Sequence, residues 1–144
     1  MNNNLTIACS KKNLIHIRKF INDSLSQIEL RTTHLNLIVL AIDEICSNRI
    51  IHSNQCNDAK KLEINCNYTS TKNTLNIIIK DQGNIFEYEK YTEPSLENII
   101  KEKGKGGIGL LLVRKIMDEI NYTSDKNYNI TTLTKKINPQ SLAY

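Results

Sequence analysis

The sequence lacks the features that mark membrane-spanning, secreted and nucleic-acid-binding proteins. It has no run of about 18 apolar residues, so we expect no transmembrane helix. Its start, Met1 to Asn4, has no basic stretch followed by an apolar core, so we expect no secretory signal and a cytoplasmic location. The net charge of +4 is small and the lysines are scattered, so the charge does not indicate nucleic-acid binding.

Cysteines are few, and their spacing is not that of a metal site. They form no Cys-x-x-Cys pair, and no histidine cluster stands at metal-ligand spacing. The last three are evenly spaced, but this spacing matches no ligand geometry. We therefore predict free thiols, buried or half-buried, in a reducing compartment. The four residues are Cys9, Cys46, Cys56 and Cys66.

The length and composition indicate one soluble globular domain spanning residues 1–144, with 40% hydrophobic and 24% charged residues. Hydrophobic periodicity predicts the order β-α-α-β-β-lid-α-β-β. Helices on one face of a mixed or mostly antiparallel sheet make a two-layer α/β sandwich. The predicted strands are 5–9, 62–68, 74–80, 122–125 and 129–137, and the predicted helices are 11–28, 36–53 and 108–120.

Three further expectations concern burial, the long connection and the tail. In the second helix we expect Leu37, Leu40, Ile45 and Ile51 among the buried positions. The polar connection before the last helix predicts a lid at about 84–106 with a short helix near 95–101, since long connections in compact domains are usually functional. The tail from Pro139 is expected to be frayed.

A carboxylate and an amide stand one turn apart on the second predicted helix. Glu44 and Asn48 are separated by four positions and therefore share a face. Mg²⁺ takes one or two protein oxygens and completes its shell with phosphates and water, so Asn48 is a candidate ligand. Glu44 is then a candidate base for a hydroxyl or water that attacks a γ-phosphate. On its own, such a pair is ordinary helix surface.

A second segment places a carboxylate where an apolar strand ends. Asp81 follows Ile77, Ile78 and Ile79, and a carboxylate is a natural acceptor for the exocyclic amine of adenine. Gly83 lets the backbone approach a ring closely. On its own, Asp-x-Gly is most often a plain turn.

A glycine-rich segment precedes the last predicted helix. Its backbone N–H groups and the helix N-terminus favour anions, and its lysine adds charge for phosphates. It does not match a Walker A loop, because no Gly-Lys-Ser/Thr ends it. On its own, such a loop is also typical of a flexible hinge. The segment consists of Gly104, Lys105, Gly106, Gly107, Ile108, Gly109 and Leu110.

Taken together and in this order, the three segments resemble the Bergerat-fold ATPases, the superfamily of DNA gyrase, histidine kinases and MutL. The closest resemblance is to the bacterial anti-sigma-factor serine kinases. In those proteins a Gly-Leu-Gly loop leads into a helix that ends in Met-Asp-Glu-Val, and here residues 107–109 lead to Met-Asp-Glu-Ile at 117–120. The strand at 129–136 resembles the last motif of that family.

The resemblance implies an ATP site and transfer of the γ-phosphate to a serine or threonine. Its expected partners are a STAS-type anti-anti-sigma protein and a sigma factor, with no direct contact to nucleic acid or membrane, and a homodimer is left open. It implies that Glu44 is the base, Asn48 holds Mg²⁺, Asp81 reads adenine and Thr131 lies near the adenine. Two departures from the family pattern bear on the fit of the adenine base and on the catalytic rate. Arg49 replaces a small residue, and Asn84-Ile85-Phe86 lacks a second glycine.

Two other functions stay open at this point. One is a nucleotide-gated binding module with little catalysis, against which the carboxylate of Glu44 argues. The other is a stand-alone histidine-kinase-like catalytic domain, against which the lack of room for a two-helix phosphoacceptor hairpin argues. A gyrase-like or MutL-like ATPase would need a second domain to complete its site.

Overall fold

The computed structural model of the protein describes residues 1–84 and 108–142. These ranges contain five β-strands and three α-helices. The strands are β1 (Asn2–Ala8), β2 (Lys61–Thr69), β3 (Thr74–Asp81), β4 (Glu119–Asp125) and β5 (Tyr128–Lys136). The helices are α1 (Leu14–Leu25), α2 (Thr32–Asn48) and α3 (Ile108–Ile116), and α2 continues into a π-helical turn, Arg49–Ser53.

The five strands form one sheet in the order β1-β2-β3-β5-β4, and every neighbouring pair is antiparallel. Alternate residues of the central strands are buried, and α2 contacts both α1 and α3. The predicted two-layer α/β sandwich is confirmed, and of the two sheet types expected, the antiparallel one is present. The buried residues of the two central hairpin strands are Leu62, Ile64, Cys66, Leu75, Ile77 and Ile79.

The buried face of α2 differs from the predicted one. Leu37 and Leu40 are 44% and 40% exposed, so the prediction that they are buried was wrong, whereas Ile45 is buried as expected and Ile51 is half-buried. Two apolar stripes run along this helix, and the one that packs inward spaces its residues by three and one. Its members are Ile38, Ala41, Ile42, Ile45 and Cys46.

The predicted boundaries of the last helix and the following strand need correction. α3 ends at Ile116, and β4 begins at Glu119, three residues before its predicted start. The chain leaves the helix here and pairs with β5, because the Asp118 N–H donates to the Thr134 carbonyl at 2.9 Å and Asp118 Oδ2 accepts the Lys136 N–H at 2.6 Å. The burial of Ile120, taken as helical periodicity, comes from the sheet.

The C-terminal segment is docked as far as Leu142, contrary to the frayed tail expected. Pro139–Ser141 forms a 3₁₀ turn, and Ser141 is buried. The Arg31 N–H donates to the Ser141 carbonyl and Arg31 Nε donates to the Leu142 carbonyl, both at 2.8 Å. These bonds tie the segment to the start of α2.

All four cysteines are free, as predicted. Cys9, Cys46 and Cys66 are buried, but Cys56 is exposed and so differs from the expectation. Burial raises the pKa of the Cys9 and Cys66 thiols to about 11 and raises the pKa of Cys46 further. In the described ranges, no helix combines the length and the apolar character needed to cross a membrane.

Candidate functional site

Asp81 ends β3 with a carboxylate that is completely buried. Its Oδ1 accepts hydrogen bonds from Asn54 Nδ2 at 3.2 Å, Asn129 Nδ2 at 3.0 Å and the Gly83 N–H at 2.9 Å. Asn129 lies directly opposite Asp81 on β5, and Asn54 follows the π-helical turn. Three donors on one oxygen fix the carboxylate at the end of the sheet, where the sequence predicts it.

The turn after Asp81 is packed against the end of the π-helical turn. A Cβ atom on Gly83 would lie 2.6 Å from the carbonyl carbon of Ser53 and 2.9 Å from Asn54 Cγ. The Asn84 N–H donates to the Ser53 carbonyl at 2.8 Å. Glycine is therefore required at position 83 by the protein's own backbone, a reason that the sequence alone does not provide.

The second carboxylate oxygen, Asp81 Oδ2, faces Arg49, whose side chain is only 7% exposed. Arg49 Nε lies 3.6 Å from Asp81 Oδ2. Arg49 Nη2 donates to Thr131 Oγ1 at 2.8 Å, and Nη1 donates to Ser53 Oγ at 3.3 Å. The guanidinium carbon also lies 5.8 Å from the centre of the Tyr122 ring, within cation–π range. One guanidinium thus joins the two side chains, Asp81 and Thr131, to which the family resemblance assigns the adenine.

Two buried acceptors border this ion pair. Asp81 Oδ2 and Asn54 Oδ1 receive no hydrogen bond from the residues that the structure describes. Leaving a buried acceptor unmatched costs about 1–3 kcal/mol, so such atoms mark places where a donor is expected. An exocyclic amine of a nucleobase carries two N–H donors. The chemistry of these two oxygens therefore fits an amine-bearing base.

Glu44 lies where α2 meets the start of α3. A Cβ atom on Gly109 would come 2.7 Å from Glu44 Cδ and closer still to Oε2, so the carboxyl group rests against this glycine. Gly109 is the second residue of α3, where backbone N–H groups have no acceptor within the helix and favour negative charge. Asn48, one turn beyond Glu44, is the exposed last residue of α2. The structure thus brings Glu44 to a helix N-terminus with Asn48 nearby on the same helix.

The glycine-rich segment is described only in its last part. Ile108 begins α3, and Leu110 is half-buried in that helix. The predicted contributions of Gly104, Lys105, Gly106 and Gly107 lie outside the described residues, as do the predicted short helix and nearly all of the predicted lid.

Metal chemistry at the site would depend on groups besides side-chain ligands. Among residues 1–84 and 108–142, no group of three or more His, Cys, Asp or Glu side chains could hold a metal ion. Mg²⁺ needs no such cage when phosphate oxygens and water complete its octahedron. The exposed amide oxygen of Asn48 therefore fits Mg²⁺ bound together with a nucleotide.

Sequence reasoning missed three residues that hold the site together: Ser53, Asn54 and Asn129. Residue 53 ends the second predicted helix and Asn54 lies outside the predicted elements, and only the fold brings Asn54 beside Asp81. Asn129 had a usable signal. It stands two residues before Thr131 on one strand, so both side chains point to the same face of the sheet.

Comparison with known proteins identifies the family of this fold. The model of the histidine kinase-like ATPase domain family matches residues 7–135. The chain belongs to this family. Two solved structures share the fold of this ATPase domain at 13% sequence identity: the RsbU and RsbW domains of a Mycobacterium tuberculosis protein and the SiaB–SiaC complex of Pseudomonas aeruginosa. Their TM-scores are 0.64 and 0.61, and the matches cover 100% and 94% of this chain and 35% and 89% of those chains.

Two sequence relatives are named as a kinase and as an anti-sigma factor. The serine-protein kinase RsbW of Bacillus velezensis is 26% identical over 103 residues, which are 69% of this chain and 62% of that protein. The anti-sigma F factor of Clostridium perfringens is 26% identical over 120 residues, covering 83% of this chain and 84% of that protein. The chain thus matches somewhat less than two thirds of the Bacillus velezensis kinase and most of the Clostridium perfringens factor.

Proposed function

We propose that this protein is an ATP-dependent protein serine/threonine kinase that phosphorylates a STAS-type anti-anti-sigma protein and sequesters a sigma factor. The family supports an ATP site, and the names of the relatives support both the kinase activity and the anti-sigma role. Its four free cysteines support a cytoplasmic location, where thiols stay reduced.

The observation that carries the nucleotide assignment is the buried Asp81 carboxylate. One oxygen is held by three donors, and the other has no hydrogen bond from the described residues. This orientation leaves Oδ2, which faces Arg49, as the oxygen that would accept from the amine of adenine. Because the acceptor is charged, the bond would be stronger than one between neutral groups.

The proposed chemistry uses Glu44 as the base. Glu44 accepts the proton of the partner's serine or threonine hydroxyl as that oxygen bonds to the γ-phosphorus and the bond to the β–γ bridging oxygen breaks. Asn48 would hold Mg²⁺, and the ion would neutralise charge on the phosphates. The N–H groups at the start of α3 favour the negative charge there. In this arrangement Glu44 and the phosphate-binding groups lie together at the junction of α2 and α3.

The experiment incubates the protein with γ-labelled ATP and Mg²⁺ and with candidate anti-anti-sigma proteins encoded in the same genome. Transfer of label to one candidate is expected, together with its loss in Glu44→Gln, since a general base contributes roughly 10²–10⁴-fold. Glu44→Gln keeps its shape and should still bind ATP, which calorimetry checks. Transfer at the parental rate by Glu44→Gln would contradict the assignment of the base.

A nucleotide-gated binding module with little catalysis is the second candidate. The observation that favours it is the position of Arg49. This residue departs from the small residue of the kinases that the sequence resembles, and it is paired with both Asp81 and Thr131. ATP-dependent binding of a partner, with no labelled product for any candidate, would support the module over the kinase.

A further inference from the structure

Arg49 occupies the polar contacts that the adenine base of ATP would use. Its guanidinium lies between Asp81 on β3 and Thr131 on β5, and both of these side chains are 0% exposed. Asp81 Oδ2, which accepts no hydrogen bond from residues 1–84 and 108–142, lies 3.6 Å from Arg49 Nε. A base that donates to this oxygen must enter the space next to the guanidinium or replace it.

The backbone of Arg49 is fixed, so any such replacement has to be a side-chain movement. The Arg49 carbonyl accepts from the Asn54 N–H at 3.0 Å and from Asn54 Nδ2 at 2.7 Å. The same Nδ2 also donates to Asp81 Oδ1. Movement of this backbone would therefore disturb the groups that hold the carboxylate itself.

The side chain is held on several sides. Ser53 accepts one hydrogen bond from the guanidinium, Thr131 accepts another, and the Tyr122 ring lies within cation–π range. A buried guanidinium is stable only when it is paired and hydrogen-bonded in this manner. The paired position is thus the resting state of Arg49, and leaving it has a free-energy cost.

We propose that Arg49 is a specificity-determining residue of the base site that competes with adenine for Asp81 and Thr131. The proposal rests on the nucleotide site proposed above and adds to it. When the competent state is only a fraction of the population, the apparent dissociation constant rises by the inverse of that fraction. ATP affinity therefore depends on how readily Arg49 leaves the carboxylate. The affinity for a triphosphate that lacks a nucleobase does not depend on this movement.

Calorimetric titration of Arg49→Ala tests this competition. If Arg49 is displaced in about a tenth of the molecules or fewer, the variant should bind ATP at least about tenfold tighter than the parent. Inorganic triphosphate, which has no base, should bind parent and variant within about twofold of each other, since Arg49 acts only on the base. Arg31→Ala is the matched control, because Arg31 precedes α2 whereas Arg49 follows it, and its affinity for ATP should equal that of the parent.

A second variant covers the case in which Arg49→Ala does not fold. Tyr122→Leu keeps the pair between Arg49 and Asp81 but removes the ring beside the guanidinium, so ATP should bind about two- to fivefold tighter. Unchanged ATP affinity in a folded Arg49→Ala protein would overturn the competition and leave the nucleotide site standing. Tighter binding of GTP than ATP by the parent would also overturn it, because Arg49 would then be reading the guanine oxygen. If neither ATP nor inorganic triphosphate bound to parent or variants, the proposed function itself would fail, and the competition with it.

Discussion

Replacing Gly109 with alanine is expected to slow phosphoryl transfer while leaving the fold and ATP binding intact. The new Cβ would lie 2.7 Å from Glu44 Cδ, whereas ordinary contact begins at 3.4 Å. The group in its way is the end of a flexible side chain, so Glu44 can move aside. The change therefore shifts the proposed base without removing it.

The size of the effect follows from that displacement. The carboxyl carbon must retreat by about 0.7 Å and Oε2 by more, and a misplacement of this order costs roughly 10²-fold in rate. Stability should change little. Alanine gains roughly 0.5–1 kcal/mol over glycine within a helix, and moving the Glu44 carboxylate away from the N-terminus of α3 costs at most roughly 0.3–1 kcal/mol. The two terms have opposite signs and similar size.

Single-turnover transfer of labelled phosphate to the partner measures the rate, and urea denaturation measures the free energy of unfolding. The double variant Gly109→Ala/Glu44→Gln should be no slower than Glu44→Gln alone, because both changes act on one carboxylate. A parental rate in folded Gly109→Ala would refute the reasoning. So would a double variant that is slower by the product of the two single effects.

Three other predictions concern Asp81, Gly83 and the cysteines. Asp81→Asn should weaken ATP binding at least about tenfold from the micromolar parental affinity, because the charge-assisted acceptor is lost; an unchanged calorimetric dissociation constant would contradict the pocket. Gly83→Ala should destabilise the fold by about 1–3 kcal/mol, since its Cβ meets the Ser53 backbone, and an unchanged urea midpoint would speak against this packing. At pH 8 only Cys56 should react quickly with Ellman's reagent, because the buried thiols stay protonated until the pH approaches their raised pKa values. All four thiols should react in urea. A second fast thiol in the folded protein would show that a buried cysteine is accessible.

The central strands were the most predictable part of the fold. Leu62, Ile64 and Cys66 alternate with polar residues, and this two-residue period admits only one buried face. The gap between the last two predicted strands, 122–125 and 129–137, was also placed correctly: it holds Lys126 and Asn127, and both residues adopt the positive φ values common in tight turns. Here the local pattern and the tertiary packing agree, so the sequence alone was sufficient.

The face of α2 was harder to predict because two stripes satisfy the same helical period. Leu37 and Leu40 are three apart, as are Ile38 and Ala41, and periodicity does not rank one pair above the other. The choice is made by tertiary packing: Ile38 faces the core, and Leu37 does not. Information of that kind lies in the neighbouring elements and not in the helix.

At the candidate site, the sequence located the isolated carboxylates but not the groups that surround them. Asp81 and Glu44 were singled out because the three segments together resemble one family, and neither local pattern was specific on its own. Arg49 stood out only as a departure from the family pattern, and its position in the helix says nothing about Thr131, which is 82 residues away in the chain. The contact exists because the antiparallel pairing of β3 and β5 sets Thr131 opposite Ile79, two residues from Asp81 on the same face, with the end of α2 above both. A residue that resembles a minor substitution in the sequence thus becomes, in the fold, the group that decides whether the carboxylate is available to a base.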